Sequence, residues 1–134
     1  MIPRVDPRAR LDLHLHSTLS DGALSPEKLL HACARVGLNY VAITDHDMAP
    51  SLTAGKHQVS GRELFLIHGT ELSGVYEGRE LHLLVYFPGP MPDCFRAFLR
   101  GRAQERAHRY NQAVNQLELS GIELSDSTAE EGVR

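Results

Sequence analysis

Apolar residues recur every two residues in some segments, as in a β-strand, and every three to four residues in others, as in a helix. Each change of spacing predicts a new element. From Leu11 to His16, leucines alternate with Asp12, His14 and His16. Successive side chains on a β-strand point to opposite faces, so this pattern predicts a strand over about residues 10–16. One face of that strand carries a carboxylate and two imidazoles.

A helix and a second strand are predicted next. Ser25-Pro26-Glu27 is typical of a helix start, because serine caps the first turn, proline fits the first helical position, and an acid there suits the helix dipole. Apolar residues at helical spacing follow until Gly37, which ends the helix. Residues 39–44 then form a short apolar strand. This order with short connections predicts two parallel strands joined by a right-handed crossover.

The middle of the chain is predicted to add one helix and two strands. We expect a helix over residues 51–61, although Gly55 weakens it, and a buried third strand over the apolar run 64–67. Residues 74–80 are typical of a hairpin turn leading into an apolar strand at 81–87.

A proline-rich break precedes the longest predicted helix, at about residues 93–120. Its apolar residues form one stripe, made by Phe95, Phe98, Leu99, Ala103, Ala107, Tyr110, Val114 and Leu117. Beside the stripe lie Arg102, Arg106 and Arg109. Such a row is either a solvated face or a clamp for an anion, since the guanidinium matches phosphate oxygens.

Titratable residues occur at or near the ends of these predicted strands: His16, Asp21, His46, Glu71 and His82. In parallel α/β folds the carboxyl ends of the strands line the functional site. Neutral imidazole with carboxylate is a ligand set for Zn²⁺, Mn²⁺ or Fe²⁺. Simpler interpretations stay open, because alternation also describes a half-solvated strand, Asp21-Gly22 suits a turn, and His82 could be a core histidine bonded to backbone.

Length and composition fit a single domain. The 134 residues have room for one hydrophobic core, and we divide them into a lead-in at 1–9, a domain at 10–122 and a polar tail at 123–134. The net charge of −3 provides no basic surface for duplex DNA. No apolar run approaches the ~20 residues of a membrane span, and the first residues lack a signal-peptide core. We therefore expect a cytoplasmic protein.

Five segments, in this order, resemble the polymerase and histidinol phosphatase (PHP) family of metal-dependent phosphoesterases. They read DLHLHSTLSDG at 12–22, SPE at 25–27, TDHD at 44–47, GTELS at 69–73 and HLLVYF at 82–87. The chain is most similar to the stand-alone branch that contains 3′,5′-nucleotide bisphosphate phosphatases and 5′-to-3′ exoribonucleases. The resemblance implies an α/β fold, the N-terminal part of a distorted (β/α)7 barrel with parallel strands.

The resemblance also assigns roles to residues. It implies one metal ion on His14, His16 and Glu71, a second on Glu71 and His82, and a third on Asp21 and His46. Asp12 and Asp45 would orient the imidazoles, and Arg106 and Arg109 would grip a substrate phosphate. Mn²⁺ is the expected ion, with Zn²⁺ or Fe²⁺ as alternatives, and up to three ions are expected in a complete domain.

The implied reaction is hydrolysis of a phosphate ester of a nucleotide or of a 5′-phosphorylated RNA end. One ion lowers the pKa of a bound water, which provides hydroxide as the nucleophile, while neighbouring ions hold the phosphoryl oxygens. Two alternatives stay open. The chain could be a metal-binding or interaction module without activity, or a metallohydrolase of the same barrel type that acts on C–N bonds.

The sequence departs from the family in two respects. Val85 stands where relatives usually have glycine, and family members are much longer, with further histidine and aspartate ligands in the part that has no counterpart here. Each proposed ion would therefore lack one ligand. An incomplete barrel also leaves a sheet edge unpaired and apolar helix faces uncovered. We therefore expect the chain alone to be poorly soluble, to self-associate through that edge, or to fold only with the missing half.

Overall fold

The computed structural model describes residues 6–122, so the predicted tail at 123–134 lies outside the described residues, as do residues 1–5 of the lead-in. The elements run in the order β1 (Leu11–Leu15), α1 (Pro26–Arg35), β2 (Tyr40–Ile43), β3 (Gly55–Val59), β4 (Arg62–Tyr76), β5 (Arg79–Phe87) and α2 (Asp93–Leu119). The described part of the chain contains no helix long and apolar enough to cross a membrane.

The first half of the fold is the predicted strand, helix and strand. β1 pairs in parallel with β2, and β2 pairs in parallel with the first part of β4. The Ser25 hydroxyl accepts a hydrogen bond from the Lys28 amide at the start of α1, as the capping pattern predicts. Leu30 and Cys33 of α1 are buried in the core that also contains Val41. The structure confirms the α/β class and the parallel start of the sheet.

The predicted helix over residues 51–61 is wrong. The segment contains β3, which pairs antiparallel with β4. Ser60 and Gly61 both have positive φ, 52° and 74°, and together they form the two-residue turn between the strands. Such a turn matches the twist of a hairpin. The Ser-Gly pair was the sequence signal for this hairpin. In the folded strand, exposed Lys56 and Gln58 alternate with more buried neighbours.

β4 is much longer than the predicted strand at 64–67. Its 15 residues pass through the core and continue into an antiparallel hairpin with β5, which confirms the predicted hairpin. His68 pairs with Ile43 of β2 on one edge of β4 and with Phe87 of β5 on the other edge. β3 and β5 therefore pair with successive parts of the same edge of β4. Glu71 therefore lies within a strand, not after one.

The two helices are covered to different extents. α1 packs against the sheet through the core described above, whereas the apolar stripe of α2 is largely open. Leu99 is only 2% exposed, but Phe98 and Leu117 are 49% and 38% exposed. β1 has β2 as its strand partner within residues 6–122, so its other edge is unpaired there. An open stripe and an open edge are what a partial barrel leaves.

Gly69 of β4 has no room for a side chain. A Cβ there would lie 2.9 Å from the Thr44 Cγ2 atom and 3.1 Å from the Tyr86 ring. We expect Gly69→Ala to lower the free energy of unfolding by about 1–3 kcal/mol, the usual cost of overpacking, measured by urea denaturation. Gly74→Ala on the same strand is the control, since its Cβ would meet only the Leu81 carbonyl at 3.8 Å. Equal losses in both variants would contradict this explanation.

His68 should make the protein less stable at acidic pH. Its Nδ1 accepts a hydrogen bond from the Met91 amide, and its Nε2 donates to the Leu52 carbonyl. Burial lowers the pKa of this imidazole below its ordinary value of 6.5, and the Arg96 charge adds to the effect. The unfolded chain then binds a proton more readily, so stability falls as the pH drops below about 6.5.

The comparison for this prediction is His68→Asn, which keeps an acceptor but cannot titrate. The free energy of unfolding of both proteins, measured from pH 8 to pH 5, should diverge in slope below about pH 6.5, with the wild type losing more. Parallel profiles would show that His68 does not carry this dependence.

Candidate metal centre

The end of β1 delivers two imidazoles to one carboxylate. His14 Nε2 lies 2.9 Å from Glu71 Oε2, and His16 Nε2 lies 3.0 Å from the same oxygen. The strand alternation places both rings on one face, and the parallel sheet brings that face beside β4. The Glu71 side chain is only 6% exposed, so its carboxylate is largely shielded from solvent.

Two further groups share members with the first. The His82 Nδ1 atom lies 2.9 Å from Glu71 Oε1, and His46 Nδ1 lies 3.8 Å from Glu71 Oε2. Asp21 approaches His16 at 3.0 Å and His46 at 3.7 Å. The possible ligand atoms of each group lie within 4.8 Å of one another; the groups are His14, His16 and Glu71, then His16, Asp21 and His46, then His46, Glu71 and His82. All six predicted ligands are therefore brought together.

The imidazoles keep the carboxylates ionised. Burial alone would raise the pKa of Glu71, but the hydrogen bond with His14 and the charges of the nearby imidazoles outweigh it, so the pKa lies below its ordinary value. Burial likewise opposes ionisation of Asp21, yet His16 and Ser20 bring its pKa down. Hydrogen bonding to Glu80, assisted by Glu71, raises the pKa of His82. A cation that binds His82 competes with a proton for this imidazole, so its affinity there should increase with pH.

The donor set fits a divalent cation. The buried His46 Nδ1 has no hydrogen-bond partner, because Glu71 at 3.8 Å is too distant for one. A buried polar atom without a partner is costly, and it usually indicates a missing water or ion. Imidazole nitrogen mixed with carboxylate oxygen suits Zn²⁺, Mn²⁺ and Fe²⁺.

The two aspartates expected to orient imidazoles make other contacts. Asp45 accepts hydrogen bonds from the Ser17 amide at 2.7 Å and from the Ser20 hydroxyl at 2.8 Å, so its carboxylate fixes the loop that carries Asp21. The Asp12 carboxylate accepts from the backbone amide of His14 at 3.2 Å. Both act on the backbone that bears the ligands, and neither has a hydrogen bond to an imidazole in the described structure.

Of the two arginines predicted to bind phosphate, one contacts the site residues and the other is exposed. Arg106 Nη2 lies 2.7 Å from Asp47 Oδ2 and 3.1 Å from the His46 carbonyl, which places its guanidinium beside the ligand groups. Arg109 is exposed and forms no ion pair with residues 6–122. Sequence reasoning missed Asp47 and the role of Arg102 in binding it. The only sequence signals for that contact were the acid directly after His46 and the arginine row.

Several known proteins share sequence or fold with this chain. A family model described as the PHP domain matches residues 12–117. The 5′-3′ exoribonuclease Rnm of Salmonella typhimurium is 35% identical over 113 residues, which cover 83% of this chain and 39% of that relative. The 3′,5′-nucleoside bisphosphate phosphatase of Chromobacterium violaceum is 30% identical, with 85% of this chain and 40% of the relative covered.

A solved structure from Bifidobacterium adolescentis, described as a metal-dependent phosphoesterase, superposes with a TM-score of 0.69 at 27% identity. The match covers 96% of this chain and 44% of that one. The chain thus spans about 40% of the length of the curated relatives it matches. The fold agrees with part of such a protein.

Gly22 lets the loop that carries Asp21 close. A Cβ at this position would collide with the His16 carbonyl, while the Gly22 amide donates to the Ser17 carbonyl at 2.9 Å. We expect Gly22→Ala to displace Asp21 and to weaken the binding of a divalent metal ion, with Mn²⁺ as the probe, on the order of tenfold, since residues that support ligands have effects of this size. Isothermal titration calorimetry measures it.

Gly101→Ala is the control for this change, because a Cβ there meets nothing within 4 Å. It should leave Mn²⁺ affinity unchanged. Wild-type affinity in Gly22→Ala would mean that the loop conformation does not matter for binding.

Proposed function

The chain belongs to the PHP domain family, and we propose on that basis that it forms the metal-binding part of a phosphoesterase. The substrates proposed are phosphate esters of nucleotides or 5′-phosphorylated RNA ends, by analogy with the named activities of the relatives. The observation that supports the proposal is the set of three neighbouring ligand groups, two of which contain Glu71.

The proposed ligands are the six residues that make up the three groups. His14, His16 and Glu71 would hold one ion, Glu71 and His82 a second, and Asp21 and His46 a third. Mn²⁺ is the ion proposed, with Zn²⁺ and Fe²⁺ as alternatives, because all three accept mixed nitrogen and oxygen ligands. Bound there, a divalent ion supplies Lewis acidity toward water and phosphoryl oxygens.

The chain's own residues would bind and orient the substrate. The Arg106 guanidinium lies next to the His46 carbonyl, so a phosphate over the ligand groups would come within its reach. Guanidinium N–H groups form strong, directional hydrogen bonds to phosphate oxygens. Arg109, three residues further along α2, is proposed as a second contact.

A second candidate is a module that binds metal without hydrolysing a substrate. It is favoured by the open side of the ligand groups, where the His14 side chain is 50% exposed. A water-exposed site provides weaker electrostatic stabilisation of a transition state than an enclosed one.

The test measures metal content and hydrolysis on the 134-residue chain. With Mn²⁺, we expect release of phosphate from a 3′,5′-bisphosphate nucleotide or release of 5′-nucleotides from a short 5′-phosphorylated RNA. His14→Ala removes a ligand and should lower turnover at least a hundredfold, on the order of the largest effects of ligand-supporting residues. His57→Ala, on β3 and outside the ligand groups, is the control and should retain activity.

Each result separates the two candidates. Stoichiometric metal with turnover lost in His14→Ala supports the phosphoesterase. Stoichiometric metal without turnover supports the metal-binding module. A chain that binds no divalent metal contradicts both.

A further inference from the structure

Asp47 is a buried acid in an unusual backbone conformation. Its φ is +50°, in the left-handed region that asparagine and aspartate tolerate better than most residues. Only 4% of its surface is exposed. It directly follows His46, so contacts that fix the Asp47 backbone also restrain the backbone of His46.

The Asp47 backbone and side chain bind β4 at Glu71 and at Ser73. The Asp47 amide donates to the Glu71 carbonyl at 2.8 Å, and the Glu71 amide donates to the Asp45 carbonyl at 3.3 Å. Asp47 Oδ1 accepts from the Ser73 amide at 3.0 Å. The two backbone hydrogen bonds form the isolated parallel bridge between His46, which lies outside the regular strands, and Glu71 of β4, and they hold these two ligand residues in register.

The same carboxylate binds helix α2. Its Oδ2 lies 2.7 Å from Arg106 Nη2, and its Oδ1 lies 3.7 Å from Arg102 Nε. Arg102 also donates to the Ser73 carbonyl at 2.6 Å. A buried carboxylate needs such partners to remain charged. The two guanidinium groups therefore tie α2 to the loop after β2 through one carboxylate.

We propose that Asp47 is a positioning residue: its carboxylate charge ties Arg106 of α2 to the loop after β2, and this contact keeps His46 in register with Glu71. This inference rests on the proposed metal-dependent function. It assigns to one residue the task of joining three elements at the site: the loop after β2, strand β4 and helix α2.

Asp47→Asn is a sharp test, because asparagine also tolerates positive φ and keeps an oxygen for the Ser73 amide. It removes mainly the charge that holds the arginines. Glu105→Gln is the matched control: Glu105 pairs with the same Arg102 at 3.8 Å, but its side chain is 64% exposed. An exposed pair of this kind contributes little.

The experiment compares Mn²⁺ affinity, urea denaturation of the metal-free chain, and the visible spectrum of bound Co²⁺. We expect Asp47→Asn to bind Mn²⁺ on the order of tenfold more weakly and to alter the Co²⁺ spectrum, which reports ligand geometry. Glu105→Gln should remain within about twofold of the wild type in affinity, with its spectrum unchanged. If Asp47→Asn does not fold, Arg106→Lys takes its place, because lysine cannot reproduce the planar guanidinium contacts.

Weaker Mn²⁺ binding with an altered spectrum, in a variant that is folded before metal is added, supports the positioning role. Wild-type affinity and spectrum overturn it, even where urea shows a loss of stability, since a purely structural role predicts that result. A wild-type chain that binds no metal overturns the proposed function itself, so the two failures are distinguishable.

Discussion

One buried carboxylate organises the site. Glu71 lies within hydrogen-bonding distance of His14, His16 and His82, and it belongs to two of the three ligand groups. Its charge is compatible with burial only because imidazoles surround it. β1, β4 and β5 are thereby constrained to meet at one place, and the loop that carries His46 is bonded to the backbone of Glu71 itself.

Local patterns were enough to predict the elements whose signals lie within a few residues. The alternation from Leu11 to His16 and the cap at Ser25 each act through neighbouring residues, and the structure confirms the strand and the helix they predict. The segment at 51–61 was predicted wrongly because its apolar content is too small to show a period. Its strand forms because β4 offers an edge to pair with and Ser60-Gly61 provides the turn.

The sequence was enough to predict which residues make up the candidate site. It was not enough to predict which of them contact one another. The six residues proposed as ligands lie together, yet the sequence predicted that Glu71 follows a strand, whereas it lies inside one. The pairing of Asp47 with Arg106 joins residues 59 positions apart. Nothing local specifies such a contact, since it depends on where α2 packs after the whole sheet has formed. The same holds for Asp45, which holds serines of the first loop.

The length of β4 has a consequence for dynamics. A single uninterrupted strand carries Leu64 and Leu66 in the hydrophobic core and Glu71 in the ligand groups. Its amides at the site therefore belong to the same cooperative unit as those in the core, and local opening at Glu71 is coupled to loss of the sheet. An ion that binds only the folded chain would shift the equilibrium of this whole unit toward the native state. Ion binding would therefore slow amide hydrogen exchange even at residues of β4 far from the ion.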